Sequence, residues 1–304
     1  MARDPRADIL EDDLFPKPTR KIHRVHAQQS GDGTIHFDLK KGIFGTNSRQ
    51  PTQIHKGNIW HFSKEEKEHL LLATAAFTIA LGIAMATGIG GLLSVDFSND
   101  LGITVALFLL SMPVMLFAVG PAFILHEIGH KIVAKKYGCW AEFRADPSGL
   151  KMGIMIVALT GILFMAPGAV MVAGLVTRRQ NGHIAIAGPL VNFTLFGLGI
   201  IFGGVVLGIA GAEGYATNQL GFISDGAINL KAMVGGVVYW WIFANLGLGL
   251  FNLIPYGPLD GAKVKDWNPT VWFCTFAVFV SLAALWMTGT FSPVGLAINI
   301  AELF

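Results

Sequence analysis

The chain has 304 residues, and 22 of its 42 formally charged side chains lie in the first 68 residues. The other 236 residues carry only 20 charges, about 8% against roughly 25% in an average soluble protein. This distribution excludes a soluble globule and predicts a polar N-terminal segment followed by an integral membrane body. The charges of the first 68 residues are mixed in sign, so we expect no nucleic-acid partner.

Residues 1–62 form the predicted N-terminal module, which we expect to be polar, cytosolic and partly disordered. Ile35, Phe37 and Leu39 alternate with polar residues, which is typical of a strand, so a small β unit is predicted within the module. Residues 63–304 are predicted to form a single membrane-embedded domain.

The membrane domain is expected to be all-α and polytopic, with about six membrane segments. A capping box between Ser63 and Glu66 predicts where its first helix begins. Pro113 and Pro121 are expected to kink or break the second span. The apolar stretch 150–176 is predicted to be a re-entrant element, and five spans are predicted at 70–95, 101–137, 184–210, 228–254 and 270–288.

The distribution of Lys and Arg predicts an orientation in the membrane. With the N-terminus in the cytosol and a re-entrant 150–176, 21 of the 22 Lys/Arg residues are cytosolic and only Lys231 is outside. We therefore expect a multi-pass protein of the cell membrane whose functional site faces the cytosolic side.

The motif HEIGH at residues 126–130 predicts a metal site. His126 and His130 are four residues apart, so on a helix they share one face and can both reach one zinc ion. Glu127 is offset from that face, where a general base must lie to take a proton from the water that zinc activates. Ionisable residues at the end of a membrane span are costly, which favours a functional role over a chance pattern.

Zinc needs a third protein ligand, and Asp260 is the candidate. It lies in the segment NLIPYGPLDG at residues 252–261, whose prolines and glycines predict an irregular backbone at the end of a span. Spacing alone leaves a metal ligand and an ordinary turn aspartate equally open.

The combination of motifs resembles the site-2 protease family of intramembrane zinc metalloproteases. HEIGH at 126–130, AGPLVNF at 187–193 and NLIPYGPLDG at 252–261 follow one another in the order found in that family. The resemblance extends over about 70–290, and its details are similar to a compact archaeal branch. The family commonly has a short β element after the zinc helix, whereas here that region is the apolar stretch 150–176.

The resemblance implies that His126, His130 and Asp260 bind one Zn²⁺ per chain and that Glu127 is the catalytic base. It also implies that Asn252 and Asn192 lie near the centre and help to bind the substrate. An interhelical hydrogen bond is the alternative role for both asparagines. Asn245, seven residues before Asn252, is expected to be structural.

The predicted function is an intramembrane zinc endopeptidase that hydrolyses peptide bonds in or near transmembrane helices of membrane-anchored proteins. Its expected partners are those substrates and the lipid bilayer, and the sequence leaves the oligomeric state open. One alternative is a membrane HExxH peptidase of the type that processes prenylated proteins, for which Glu142 or Glu213 would be the third ligand. Another is a metal-binding membrane protein without catalysis.

Overall fold

The computed structural model describes residues 27–29, 35–37, 62–95, 101–163, 165, 168–173, 176–217 and 221–304. The chain divides into two compact units, Met1–Lys56 and Gly57–Phe304. In the first unit, β1 (Ala27–Gln29) pairs antiparallel with β2 (Ile35–Phe37), which contains two of the three residues whose alternation predicts a strand. Leu39 and most of the predicted 1–62 module lie outside the described residues.

The second unit is mostly helical, which confirms the predicted fold class. Five of its described helical segments are long and apolar enough to cross a membrane. The last of the five is followed by the short helix α8 (Pro293–Ala301). The five segments are α1 (Lys64–Thr87) with the 3-10 turn Gly91–Ser94, α2 (Leu101–Lys136), α4 (Arg178–Ala210), α5 (Leu230–Asn252) and α7 (Pro269–Met287).

Two helix boundaries differ from the prediction. Helix α2 continues through Pro113 and Pro121 for 36 residues, about 54 Å, so neither proline ends it. Membrane helices tolerate internal prolines because neighbouring groups satisfy the backbone carbonyls that are freed. Helix α4 begins at Arg178, six residues before the expected start, because Thr177 and Gln180 form a reciprocal capping box.

The region after α2 is not one re-entrant element. It forms the strand β3 (Trp140–Ala145), the short helix α3 (Pro147–Thr160) and the strand β4 (Gly168–Ala173). The two strands pair antiparallel over six residues each, from Trp140 opposite Ala173 to Ala145 opposite Gly168. The sequence did not predict this pairing because α3 separates the two strands along the chain and their register depends on contacts between them.

Glycines on α4 place this helix against two others. Gly199 packs on Trp241 and Gly203 packs on Val238, both in α5. Gly204 and Gly208 face the other way, against α8. These glycines therefore allow close helix packing, and α4 lies between α5 and α8.

The start of α1 is joined to α2 and β3. Ser63 caps the helix by accepting a hydrogen bond from the backbone N–H of Glu66 at 3.1 Å. The carboxylate of Glu66 does not complete the predicted capping box. Instead it accepts a hydrogen bond from Lys131 Nζ at 2.6 Å and lies 3.5 Å from the backbone nitrogen of Phe143. The Glu66 side chain therefore links three elements.

Candidate metal centre

The two histidines of the HEIGH motif lie side by side on α2. Their Nε2 atoms are 3.0 Å apart, and their rings are nearly perpendicular with centroids 4.7 Å apart. Both side chains are buried, with His126 3% exposed and His130 4% exposed. The i, i+4 spacing therefore places both imidazoles at one buried point, as expected for residues on the same face of a helix.

Asp260 lies far from the histidines in the sequence, but its carboxylate lies at the same point in the structure. The irregular segment after α5 ends at Leu259, and Asp260 is the first residue of the short helix α6 (Asp260–Trp267). Gly261 lies directly against the carbonyl oxygens of Leu253 and Ile254, where a Cβ atom has no room. Glycine at 261 therefore allows α6 to begin beside the end of α5, with Asp260 facing the histidines.

The carboxylate of Asp260 completes a compact triangle of donor atoms. Its Oδ2 atom lies 3.0 Å from Nε2 of His130 and 3.4 Å from Nε2 of His126. Its Oδ1 atom accepts a hydrogen bond from Lys263 Nζ at 3.2 Å.

The outer nitrogen of each imidazole faces a hydrogen-bond acceptor. His130 Nδ1 lies 2.7 Å from the carbonyl oxygen of Ile184, and His126 Nδ1 lies 2.5 Å from Oδ1 of Asn192. A carbonyl oxygen accepts only, so each Nδ1 carries the proton and donates it. Both Nε2 lone pairs are then directed at the common point near Asp260, as in histidines that bind a metal.

Two asparagines that hydrogen-bond to each other fix the orientation of the amide oxygen that faces His126. Asn245 Nδ2 donates to the carbonyl oxygen of Trp241, so its Oδ1 is free to accept from Asn192 Nδ2 at 3.0 Å. Asn192 Nδ2 also donates to the carbonyl oxygen of Ala122. With both amide N–H groups used, Asn192 presents its oxygen to His126.

Gly188 lets α4 approach the two imidazoles. A Cβ atom at this position would lie 2.5 Å from Nε2 of His126 and 2.5 Å from Nε2 of His130. Any larger residue would therefore occupy the space between the donor atoms. Gly129, between the two histidines in sequence, packs in a similar way against Val191 and Ala187 of α4.

The donor set fits a zinc ion. Tetrahedral ligands about 2.0–2.2 Å from Zn²⁺ are about 3.3 Å from one another, close to the 3.0–3.4 Å separations of these three atoms. Three buried lone pairs that converge without a cation repel one another, so the arrangement is suited to a positive ion. Among the described residues, no other group of three His, Cys, Asp or Glu side chains is spaced to hold a metal.

Glu127 lies next to this centre without bonding to it. The residue is half-buried, and its Oε2 atom is shielded from solvent but has no hydrogen-bond partner in the described part of the chain. A buried carboxylate oxygen without a partner is costly, and its presence beside a metal group is typical of a catalytic acid or base.

The other candidate residues lie in different surroundings. Asn252 is the last residue of α5, is half-buried, and donates to the carbonyl oxygen of Leu248. The side chain of Asn192 is fully buried and its Oδ1 atom faces His126 Nδ1, while its predicted contact with substrate stays a prediction. Glu142 pairs with Arg144 at 2.5 Å, and Glu213 follows the far end of α4. Neither glutamate is part of the triangle.

Two contributors to the centre were not identified from the sequence, namely Gly188 and the carbonyl oxygen of Ile184, which touch the histidines. Asn245, which was expected to be structural, supports His126 through Asn192. Only Gly188 carried a signal, since a Gly-Pro pair inside a long apolar helix indicates a packing constraint. A backbone carbonyl gives no sequence signal at all.

Comparison with known proteins supports the same centre. The sequence model of peptidase family M50 matches residues 114–266, half of the chain. This segment runs from the middle of α2 to α6, so it contains Glu127 and the three residues of the donor triangle. No solved structure matches the chain.

Curated relatives carry names of the same kind. The inferred zinc metalloprotease MJ0611 of Methanocaldococcus jannaschii is 38% identical over 168 residues, which cover 52% of this chain and 72% of that relative. Zinc metalloprotease MJ0392 of the same organism is 30% identical over 46% of this chain, but the match covers only 30% of MJ0392. The inferred zinc metalloprotease YwhC of Bacillus subtilis is 28% identical over 51% of this chain and 68% of its own length. The chain therefore belongs to peptidase family M50, the site-2 protease family that its motifs resemble, and is a multi-pass membrane zinc metalloprotease.

Proposed function

We propose that the protein is an intramembrane endopeptidase that cuts membrane-anchored proteins within or next to a transmembrane helix. The observation that carries this proposal is the position of the donor triangle. His126 and His130 lie about 9–15 Å before the C-terminal end of α2, buried between membrane-spanning helices. A substrate segment held in the bilayer lies among the same kind of helices as such a centre.

We assign the metal ligands and the base from their positions in the centre. His126, His130 and Asp260 would hold the zinc ion, which supplies an activated water and polarises the scissile carbonyl. The Oε2 atom of Glu127 is available to take one proton from that water as it adds to the carbonyl carbon. Glu127 then returns the proton to the leaving amine nitrogen as the C–N bond breaks, which regenerates the carboxylate.

The substrate backbone must be extended before it can be cut, because a helix buries its carbonyl groups in intrahelical hydrogen bonds. Strand β4 pairs with β3 on one side, and its other edge carries no strand in the described part of the chain. We propose that this edge binds the unwound segment by β-augmentation. Asn252 remains our candidate for a side chain that binds the substrate at the end of α5.

The orientation follows from the positive-inside distribution of Lys and Arg. We propose that the protein lies in the cell membrane with its N-terminus and the metal centre on the cytosolic side. The polar residues 1–62 would then form a cytosolic module separate from the protease domain 63–304. Labelling of cysteines introduced singly at the two ends of α2 would test this orientation.

The decisive experiment compares the full-length protein with its Glu127→Gln variant. We expect the variant to bind zinc as the wild type does but to lose cleavage of a single-span membrane substrate, with cleavage positions mapped by mass spectrometry. Cuts restricted to soluble substrates would contradict the intramembrane proposal. Metal-dependent transport that survives the substitution would favour a non-catalytic metal-binding protein.

The alternative HExxH peptidase has less support. It needs a glutamate as third ligand, and both Glu142 and Glu213 lie outside the donor triangle that Asp260 completes. Loss of zinc binding in Asp260→Asn, together with normal zinc binding in Glu213→Gln, would favour Asp260 as the third ligand over the alternative peptidase.

A further inference from the structure

His183 lies between the two parts of the chain that supply the donor triangle. Its Nδ1 atom forms a short hydrogen bond with the hydroxyl of Tyr137, the residue that follows α2. Its ring also packs edge-to-face on Trp267, the last residue of α6, with centroids 4.5 Å apart. One imidazole on α4 thus contacts the end of the histidine helix and the end of the aspartate helix.

The same turn of α4 is tightly docked on α6. Gly182 lies against the side chain of Trp267, where no Cβ atom can be accommodated. Arg178 Nε lies 3.1 Å from Oδ2 of Asp266, an exposed ion pair. The residue after His183 is Ile184, whose carbonyl oxygen holds His130 Nδ1. His183, which contacts α6, and Ile184, whose carbonyl oxygen faces His130, are therefore neighbours in the chain.

Helix α6 is held near Asp260 by the contact of Gly261 with the end of α5, and at its other end by this docking of Trp267. The segment that precedes it is exposed and irregular, and Gly257 in it has a φ of +59°. Helix α6 has eight residues, about 12 Å, so a tilt at Trp267 moves Asp260 at the opposite end. A functional metal site tolerates displacements of only about 0.5 Å in its ligands.

We propose that His183 is a positioning residue for the metal centre, acting with Tyr137 and Trp267 to hold Asp260 against the two histidines. The three side chains form a latch between α2, α4 and α6, which we call the His183 latch. Within the described part of the chain, none of the three side chains hydrogen-bonds to His126, His130 or Asp260. The inference rests on the proposed ligand set of His126, His130 and Asp260.

The test measures zinc affinity of the full-length protein in detergent by competition with a chromogenic chelator. His183→Ala and Trp267→Ala should each weaken zinc binding by about tenfold, the lower end of the range for supporting residues around metal sites. Trp267→Phe keeps a ring against His183 and should restore affinity to within about twofold. With Co²⁺ in place of zinc, the visible spectrum of the two alanine variants should shift, because the ligand geometry changes.

A matched control removes an aromatic contact elsewhere in the protein. Trp286 of α7 packs on Tyr239 and Phe243 of α5 at centroid distances of 5.9 and 5.8 Å. Trp286→Ala should leave zinc affinity and the Co²⁺ spectrum unchanged. Equal zinc binding by wild type, His183→Ala and Trp267→Ala would overturn the inference.

Two further comparisons keep the test decisive. If His183→Ala does not fold, the Trp267→Ala and Trp267→Phe pair decides alone, because equal affinities in that pair overturn the latch. Asp260→Asn separates this inference from the proposed function. Normal zinc binding by Asp260→Asn would refute the ligand set itself. If Asp260→Asn loses zinc binding but the His183 and Trp267 variants bind zinc normally, only the latch is refuted.

Discussion

Lys131 Nζ lies 2.6 Å from Oε2 of Glu66, and the side chains are 4% and 3% exposed. Lys131 follows the metal-facing His130 directly, and Glu66 belongs to the first turn of α1. This buried ion pair therefore anchors the histidine helix to the first membrane helix. The aromatic ring of Phe62 lies 3.9 Å from Lys131 Nζ and shields the pair further.

Breaking this pair should destabilise the fold. Lys131→Met leaves the Glu66 carboxylate buried without its cation, and we expect the free energy of unfolding to fall by about 3–5 kcal/mol. The double variant Glu66→Leu/Lys131→Met should recover much of that loss. Chemical unfolding in mixed micelles measures both.

The exposed pair of Lys64 and Glu68 is the control. It is separated by 3.9 Å with side chains 93% and 63% exposed, so Lys64→Met should cost less than about 1 kcal/mol. Equal losses for Lys131→Met and Lys64→Met would contradict a specific role for burial.

Gly188→Ala should disrupt metal binding more than any substitution outside the ligands. The added methyl group would meet the Nε2 atoms of both histidines, so the rings must move apart and the three donors no longer converge. We expect zinc affinity to fall by about 100-fold or more, the upper end of the range for supporting residues. Gly197→Ala on the same helix points into open space and should bind zinc normally. Normal zinc binding by Gly188→Ala would contradict this prediction, because it would show that the site can accommodate the added methyl group.

Asn192→Ala should weaken zinc binding by about 10–100-fold, because His126 loses the acceptor that orients its ring. Asn245→Ala should have a smaller effect in the same direction, and the double variant should show less than additive loss since the two side chains form one chain of hydrogen bonds. Asn252→Ala serves as comparison and should raise KM while sparing zinc. A raised KM with unchanged zinc affinity in Asn192→Ala would return that residue to a role in substrate binding.

Removal of zinc should lower the thermal stability of the whole domain. The proposed ligands come from α2 and α6, so the ion would cross-link elements that are otherwise joined by side-chain packing. Saturating zinc at about 1,000 times its dissociation constant contributes roughly 4 kcal/mol to the folded state. A chelator should therefore lower Tm in the wild type but leave Tm unchanged in Asp260→Asn. An equal shift in both would place the stabilising ion elsewhere.

Proline substitutions in β4 test the proposed substrate edge. Along an antiparallel strand, successive residues direct their N–H groups alternately to the partner strand and away from it. Of Met171→Pro and Val172→Pro, one should therefore break the pairing with β3 and the other should remove only an outward donor. We expect both to lose cleavage and both to keep zinc. Cleavage that survives in both would refute β-augmentation, and Met171→Ala controls for the side chain.

The sequence predicted the helical membrane body because long apolar runs carry a direct signal of their length. It also predicted the pairing of His126 with His130, which depends only on helical periodicity. The pairing of β3 with β4 was not predicted because its register is set by contacts between two strands that α3 separates along the chain. Asn192 was placed near the centre by resemblance, but its acceptor role depends on Ala122 and Trp241, whose carbonyl groups leave no trace in the sequence.

His130 and Asp260 are separated by 130 residues of chain. At about 5–20 residues per second, a ribosome needs on the order of ten seconds to pass from one to the other. Until then the growing protein offers two imidazoles and no third ligand, too few to retain zinc. With the proposed ligand set, metal acquisition is thus a late event in biogenesis, after α2, α4 and α5 have been made.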